Sequence, residues 1–217
     1  MQKSVLSVAT SVCIMFVALA IFWATSVEAA AGPIFTKIKN AYSSFKDISG
    51  KFTQLSNIRD LNKEMSFDGT FRIKPPLKMS WRYEGEEDDD EQEVYINDDE
   101  LTIYKKKLNQ AIRSKLEATA IAQTPLALLR GLTDIEKDYD ITEKNNVVRL
   151  TPKSPSFNVK HFDIYPSKDA FPIKKIIFYD KNDNTIELTL RGVKVNTGLS
   201  NEIFTFKPPE GVTIVDN

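Results

Sequence analysis

The sequence predicts a mainly β fold: a barrel or strongly curved antiparallel sheet with few helices. Three observations predict it. From residue 47 onward apolar residues recur with period two over most of the chain, as in strands with one greasy and one wet face. Roughly ten such runs follow one another at regular spacing. Only two stretches after the N-terminal segment, 33–45 and 124–131, break into a helical pattern.

The N-terminal segment comes first. Lys3 supplies a positive charge, residues 12–23 (VCIMFVALAIFW) form an apolar core, and a small-residue exit follows at Val27-Glu28-Ala29-Ala30-Ala31. These are the three parts of a secretory signal peptide, with cleavage after Ala29 or Ala31. An uncleaved membrane anchor is the competing reading. The unbroken apolar run is shorter than the ~20 residues a spanning helix needs, although the preceding Ser and Thr could extend it. The expected organisation is a signal peptide over 1–29 and a single domain over 30–217. Cys13, the only cysteine, lies inside the signal, so the mature chain is expected to have no disulfide, thiol nucleophile or cysteine metal site. Losing Lys3 and Glu28 leaves the formal net charge at -1. No basic face suggests a nucleic-acid partner.

Residues 33–45 read as one amphipathic helix. Ile34, Phe35, Ile38, Ala41, Tyr42 and Phe45 fall on one stripe, and Pro33 suits the first turn, where a missing N–H costs nothing. Alternation then carries Met65, Phe67, Gly69, Phe71 and Ile73 on one face. Pro75-Pro76 breaks the run. Leu77, Met79, Trp81 and Tyr83 resume it. Shorter strands are expected at 94–96, 101–104 and around Ile112, with a turn at Asn97-Asp98-Asp99. Thr124 as N-cap, Pro125 at the first turn and Gly131 as terminator bracket a short apolar helix that must lie on something greasy. Strands return at 139–142, 147–151, 159–165, 173–179, 185–195 and 204–206, with a hairpin turn at Lys181-Asn182-Asp183-Asn184.

Enzyme wiring is missing from this pattern. Gly198-Leu199-Ser200-Asn201-Glu202 lacks the closing glycine of a nucleophile elbow. His161 is the single histidine; Asp163, two residues on, can share its strand face, but a lone strand histidine is more often a packing or surface residue than a catalyst. One histidine and no mature cysteine cannot build the usual zinc sites. The run Glu86–Glu93 lacks EF-hand spacing and reads as a solvated loop, with partner docking as its alternative. With eight glycines in the chain, phosphate-cradling loops have little material. No cofactor is expected. What remains is organised apolar surface, and periodicity alone does not tell a filled interior from a lined cavity.

Five stretches, in order, resemble the LolA family of periplasmic outer-membrane lipoprotein carriers. They are 45–54 (FKDISGKFTQ, with an F-x-Q signature), 69–83 (GTFRIKPPLKMSWRY), 96–104 (INDDELTIY), 124–129 (TPLALL) and 204–212 (FTFKPPEGV). Each is modest alone; together they span nearly all the mature chain. The resemblance implies an incomplete antiparallel β-barrel, a half-barrel whose concave face is closed by short helices. It implies a lipid-binding lining of Phe67, Phe71, Ile73, Met79, Trp81 and Tyr83, pressed by Leu126 and Leu129 from a helical lid. The implied partners are lipoprotein acyl chains, an inner-membrane lipoprotein-releasing transporter, and an outer-membrane acceptor lipoprotein or the membrane itself, served by a monomer. A carrier of other lipids such as glycolipids, or a lipid-sensing regulatory module, is the alternative on the same fold. Pro75 stands where the family commonly has an arginine that fastens the lid, so the lid is expected to be held, or released, differently here. Trp81→Asp or Leu129→Glu is expected to lower cargo binding and leave the protein folded.

Overall fold

The computed structural model describes residues 32–85, 91–116, 135–154 and 158–217. The expected signal peptide, residues 86–90 of the acidic run, and the 124–131 helix with Leu126 and Leu129 lie outside the described residues.

Twelve strands are described: β1 (Ile48–Ile58), β2 (Lys63–Lys74), β3 (Lys78–Glu84), β4 (Gln92–Asn97), β5 (Glu100–Lys105), β6 (Gln110–Lys115), β7 (Tyr139–Lys144), β8 (Val147–Pro152), β9 (Val159–Pro166), β10 (Ile173–Asp180), β11 (Thr185–Val195) and β12 (Thr213–Asp216). They form one open sheet in the order β12-β6-β5-β4-β3-β2-β1-β11-β10-β9-β8-β7. The sheet is a meander in two halves, joined where β1 pairs with β11. Every neighbouring pair is antiparallel except β12, which lies parallel to β6. The sheet does not close on itself, which is the incomplete barrel the resemblance implied.

One face of this sheet carries a single buried cluster that reaches from Val94 and Ile96 on β4 to Val148 and Leu150 on β8. Helix α1 (Pro33–Ser43) buries Phe35, Ile38 and Tyr42 in it. The helix ends two residues before the expected Phe45, closed by the Ser44 N–H bonding back to Ala41. Phe45 nevertheless packs on Tyr42 and Phe171, at ring separations of 5.9 and 5.7 Å. The N-terminus of α1 has no side-chain cap of its own. Glu143 of β7 serves instead, accepting from the Phe35 N–H at 2.7 Å and the Ile34 N–H at 3.2 Å, where an anion also faces the positive end of the helix. A Cβ at Gly32 would stand 2.1 Å from the Glu143 carboxyl carbon, so a larger residue there would have to displace this capping side chain. A short helix α2 (Ile135–Asp138) adds a second tie, Lys39 to Glu136 at 2.7 Å.

The turns follow the side-chain chemistry. Asp98 adopts a left-handed conformation in the expected 97–99 turn. At the β10–β11 hairpin the Asp180 carboxylate accepts from the Asn182 N–H, the Asn184 N–H and the Asn184 amide, each at 2.8 Å. The expected strand at 204–206 is not formed. Phe204 instead ends a 3₁₀ turn (Asn201–Phe204), and the last strand comes later, as β12. Two prolines, Pro208 and Pro209, follow and cannot donate to a ladder. Phe206 packs on Tyr95 and Tyr104, at 5.6 and 5.2 Å, against the face opposite the main cluster. Alternation in F-x-F thus came from two anchors on a surface rather than from a strand.

Asp47 ties this C-terminal passage to the start of β1. It is 2% exposed and accepts from the Thr197 N–H and hydroxyl at 2.7 and 2.9 Å, from Gly198 N–H at 2.9 Å and from Leu199 N–H at 3.2 Å. Desolvation pushes its pKa up, but these donors together outweigh it and hold the carboxyl below the usual range. A depressed folded pKa contributes stability that is present above the unfolded value, ~3.9, and is lost as pH falls through the folded one. Asp47→Asn should therefore be less stable than the parent at neutral pH, with the gap closing below about pH 4. Urea unfolding at pH 7 and pH 3 checks this, and a gap independent of pH would contradict it.

Candidate functional site: an apolar sheet face with a polar cleft at one end

Strand register places the predicted lining on the face that holds the buried cluster. Across β2, β3, β4 and β5 the side chains form rows. Ile73, Met79, Ile96 and Leu101 stand in one row; Phe71, Trp81, Val94 and Ile103 stand in the next. Both rows are wholly apolar. The third row runs Gly69, Tyr83, Gln92, Lys105, and beyond it Phe67 of β2 sits opposite Gln54 of β1. Polarity thus rises along the strands toward one end.

Of the expected lining residues, the structure brings Phe67, Phe71, Ile73, Met79, Trp81 and Tyr83 together on that one face. Phe71, Ile73, Met79 and Trp81 are between 1 and 5% exposed, whereas Phe67 and Tyr83 are half-buried at the open end. The aromatic rings are in contact: Trp81 lies 5.4 Å from Phe71, and Tyr83 meets Phe67 edge-on at 5.9 Å. Burial of Trp81 corrects one expectation. An aspartate there would leave a carboxylate in an apolar cluster with no cationic neighbour in its row, so loss of folding is the expected result rather than loss of binding alone.

Sequence reasoning passed over several residues of this face. Phe52 lies tilted against Trp81 at 4.2 Å and meets Tyr83 edge-on at 5.3 Å. It covers Gly69 across the β1–β2 pair, just as Phe71 covers Gly50. A Cβ at Gly69 would lie 2.1 Å from the Arg82 carbonyl and 2.5 Å from the Phe52 ring. The glycines are where two aromatic rings need the backbone bare. Two positions beyond Phe52, Gln54 accepts a hydrogen bond from the Tyr83 hydroxyl at 3.2 Å and donates to Ser56 at 3.1 Å. The F-x-Q words carried this signal: a ring for the floor, then an amide for the mouth, on the same strand face.

At the open end Gln54, Phe67, Tyr83, Glu91, Gln92, Lys105, Lys107 and Leu108 line a cleft of about 630 Å³. Burial pushes the Tyr83 phenol up to about 12, with the nearby Trp81 indole N–H pulling the other way. Leu108 is 61% exposed at the rim. Glu91, the first described residue of the acidic run, is paired with Lys106 at 2.6 Å, which lowers its pKa.

The remaining chemical candidates are engaged elsewhere. His161 and Asp163 do share the outer face of β9, as expected. Asp163 is held by both nitrogens of an Arg149 fork, at 2.7 and 2.8 Å, while His161 stacks on Tyr179 at 4.3 Å. Burial first, then the Arg149 charge, keeps the imidazole below its ordinary pKa. Lys74 and Lys78, which flank Pro75, also point away from the apolar face. Lys74 bonds the Leu199 carbonyl at 3.0 Å and Asn201 at 2.7 Å; Lys78 bonds Asn97 and, at 2.9 Å, Asp98. Neither takes the place on the apolar face where the family's arginine was expected. Among the described residues no helix is long and apolar enough to cross a membrane.

This fold and face define a class of β protein in which one open, almost wholly antiparallel sheet carries an apolar, aromatic-rich face. The chain belongs to the LolA family, described as outer membrane lipoprotein carrier protein LolA, whose family model matches residues 43–207. Relatives named outer-membrane lipoprotein carrier protein include one from Cupriavidus necator, 29% identical over 209 residues, covering 91% of this chain and 94% of its own length. Another, from Neisseria gonorrhoeae, is 26% identical over 212 residues and covers 95% of each chain. Among solved structures, an uncharacterized conserved protein from Thermus thermophilus superposes with a TM-score of 0.53 at 13% identity, covering 85% of this chain and 97% of that one. At that identity the likeness concerns the fold alone.

Proposed function

We propose that the protein is a periplasmic carrier that takes up the acyl chains of lipoproteins in its trough and moves them from an inner-membrane exporter to the outer membrane. The observation that carries this reading is the pair of wholly apolar rows ending in a polar mouth, in a chain whose relatives are named as lipoprotein carriers. An acyl chain cannot cross water unaided. At ~0.8 kcal/mol per methylene, a long chain represents on the order of 12 kcal/mol of exposed apolar surface. A carrier must match that environment and still release its cargo. A movable cover does this by exchanging one apolar contact for another, so the net free energy of loading stays small. No covalent step and no cofactor is called for. The N-terminal 29 residues would direct export, the inner-membrane lipoprotein-releasing transporter would load the trough, and an outer-membrane acceptor or the membrane itself would empty it.

Phe67 offers the cleanest probe, because it is only half-buried and stands at the mouth rather than in the packed floor. Phe67→Glu is expected to fold normally and to reduce lipoprotein capture about tenfold or more, as a carboxylate would have to be desolvated beside the incoming chain. A release assay from spheroplasts or proteoliposomes measures this. Undiminished capture by the folded variant would remove Phe67 and the mouth from the binding path.

A further inference from the structure

We propose that the polar mouth of the trough is a head-group subsite, which takes the ester and amide carbonyls where acyl chains join their lipoprotein; this deepens the carrier reading and rests on it. The third row differs from the other two in kind as well as in exposure. Its polar groups are rich in hydrogen-bond donors. Tyr83 spends its one proton on Gln54, and Gln54 spends one amide hydrogen on Ser56. A second Gln54 amide hydrogen remains, since a primary amide carries two. Gln92 and Lys105 extend the row with an amide and an ammonium group. The indole nitrogen of Trp81, 2% exposed, is buried and closes no hydrogen bond of ordinary geometry, although it lies near enough to the Tyr83 oxygen to influence that phenol.

A buried donor without an acceptor is uncommon in a folded protein and calls for an explanation. The Trp81 ring lies 6.4 Å from that of Tyr83, which marks the boundary between the apolar rows and a cleft of about 630 Å³. A ligand that suits this boundary is hydrocarbon on one side and acceptor-rich at its end. An acylated, diacylglyceryl-modified cysteine has that form: its chains end in two ester carbonyls and one amide carbonyl. The hydrocarbon would run along Phe71, Ile73 and Met79, and the carbonyls would meet Trp81, Gln54 and Gln92. The F-x-Q sequence then has a chemical reason at both positions, with Phe52 flooring the tail and Gln54 serving the head.

The test compares two ligands on the full mature chain by fluorescence titration. One is a triacyl-cysteinyl peptide; the other is N-phenyl-1-naphthylamine, an apolar probe with no carbonyl. Gln54→Leu with Tyr83→Phe should lower affinity for the lipopeptide about tenfold relative to affinity for the probe, as expected from losing one or two hydrogen bonds. Gln54→Glu keeps the shape but replaces donors with acceptors, and it should move the same ratio in the same direction. An unchanged ratio in both variants, whether the two affinities hold or fall together, would overturn the subsite. Palmitate serves as a third ligand. A parallel loss for palmitate supports a carbonyl subsite that reads a lone acyl end, and a loss confined to the lipopeptide supports one that reads the joined head. If the unsubstituted protein bound neither the lipopeptide nor the probe, the carrier reading itself would fail, which is distinct from failure of the subsite.

Discussion

Replacing Gly69 with alanine is expected to lower folding stability by about 3 kcal/mol, at the upper end of what overpacking usually costs. The reason is local. The new methyl would stand 2.1 Å from the Arg82 carbonyl, a backbone atom of the neighbouring strand, and 2.5 Å from the Phe52 ring. A flexible side chain could yield; a hydrogen-bonded strand cannot do so without moving. The ring cannot retreat freely either, because it packs against Trp81 at 4.2 Å. Urea unfolding should show the midpoint falling with little change in slope. A loss under about 1 kcal/mol would mean that β2 and β3 can separate there, and that the packed aromatic layer is softer than its geometry indicates.

Trp81→Ala is the second large effect, expected at about 3–5 kcal/mol for a buried aromatic reduced to a methyl. Trp81 is 2% exposed and joins Phe52, Phe71 and Tyr83 into one aromatic layer, with ring separations of 4.2, 5.4 and 6.4 Å. Removing it takes the centre out of the floor and leaves a cavity that neighbours on rigid strands fill poorly. Lipoprotein capture should fall along with stability, so this variant is best read beside Phe67→Glu, where capture should fall alone. Equal stability of Trp81→Ala and the parent protein would show that the indole is not part of a packed floor.

The sequence made the inner face of the sheet legible because strand periodicity converts directly into faces. Phe67, Phe71, Ile73, Met79, Trp81 and Tyr83 needed only their odd numbers, and the turn at Pro75-Pro76 preserved that parity from β2 to β3. The same rule failed at 204–206. Alternating phenylalanines there anchor an irregular segment on the outer face, and nothing in a period of two distinguishes a strand from two such anchors. Partners distant in sequence were invisible for another reason. Glu143 caps a helix more than a hundred residues earlier, and Asp47 gathers donors from 197–199. Such pairings are set by topology, which local patterns do not encode. Gln54 lies between these cases. Its motif was conspicuous in the sequence, but its role required knowing that Tyr83 stands two strands away on the same face.

The most direct measurement is mass spectrometry of whatever co-purifies with the protein taken gently from the periplasm. A reversibly occupied hollow on the sheet's inner face predicts triacylated protein in the sample, lost when Phe67 is replaced by glutamate. Free glycolipid in its place would assign the same hollow to a different cargo. Protein recovered with no lipid of any kind, from cells rich in lipoproteins and with the parent sequence intact, would contradict the carrier.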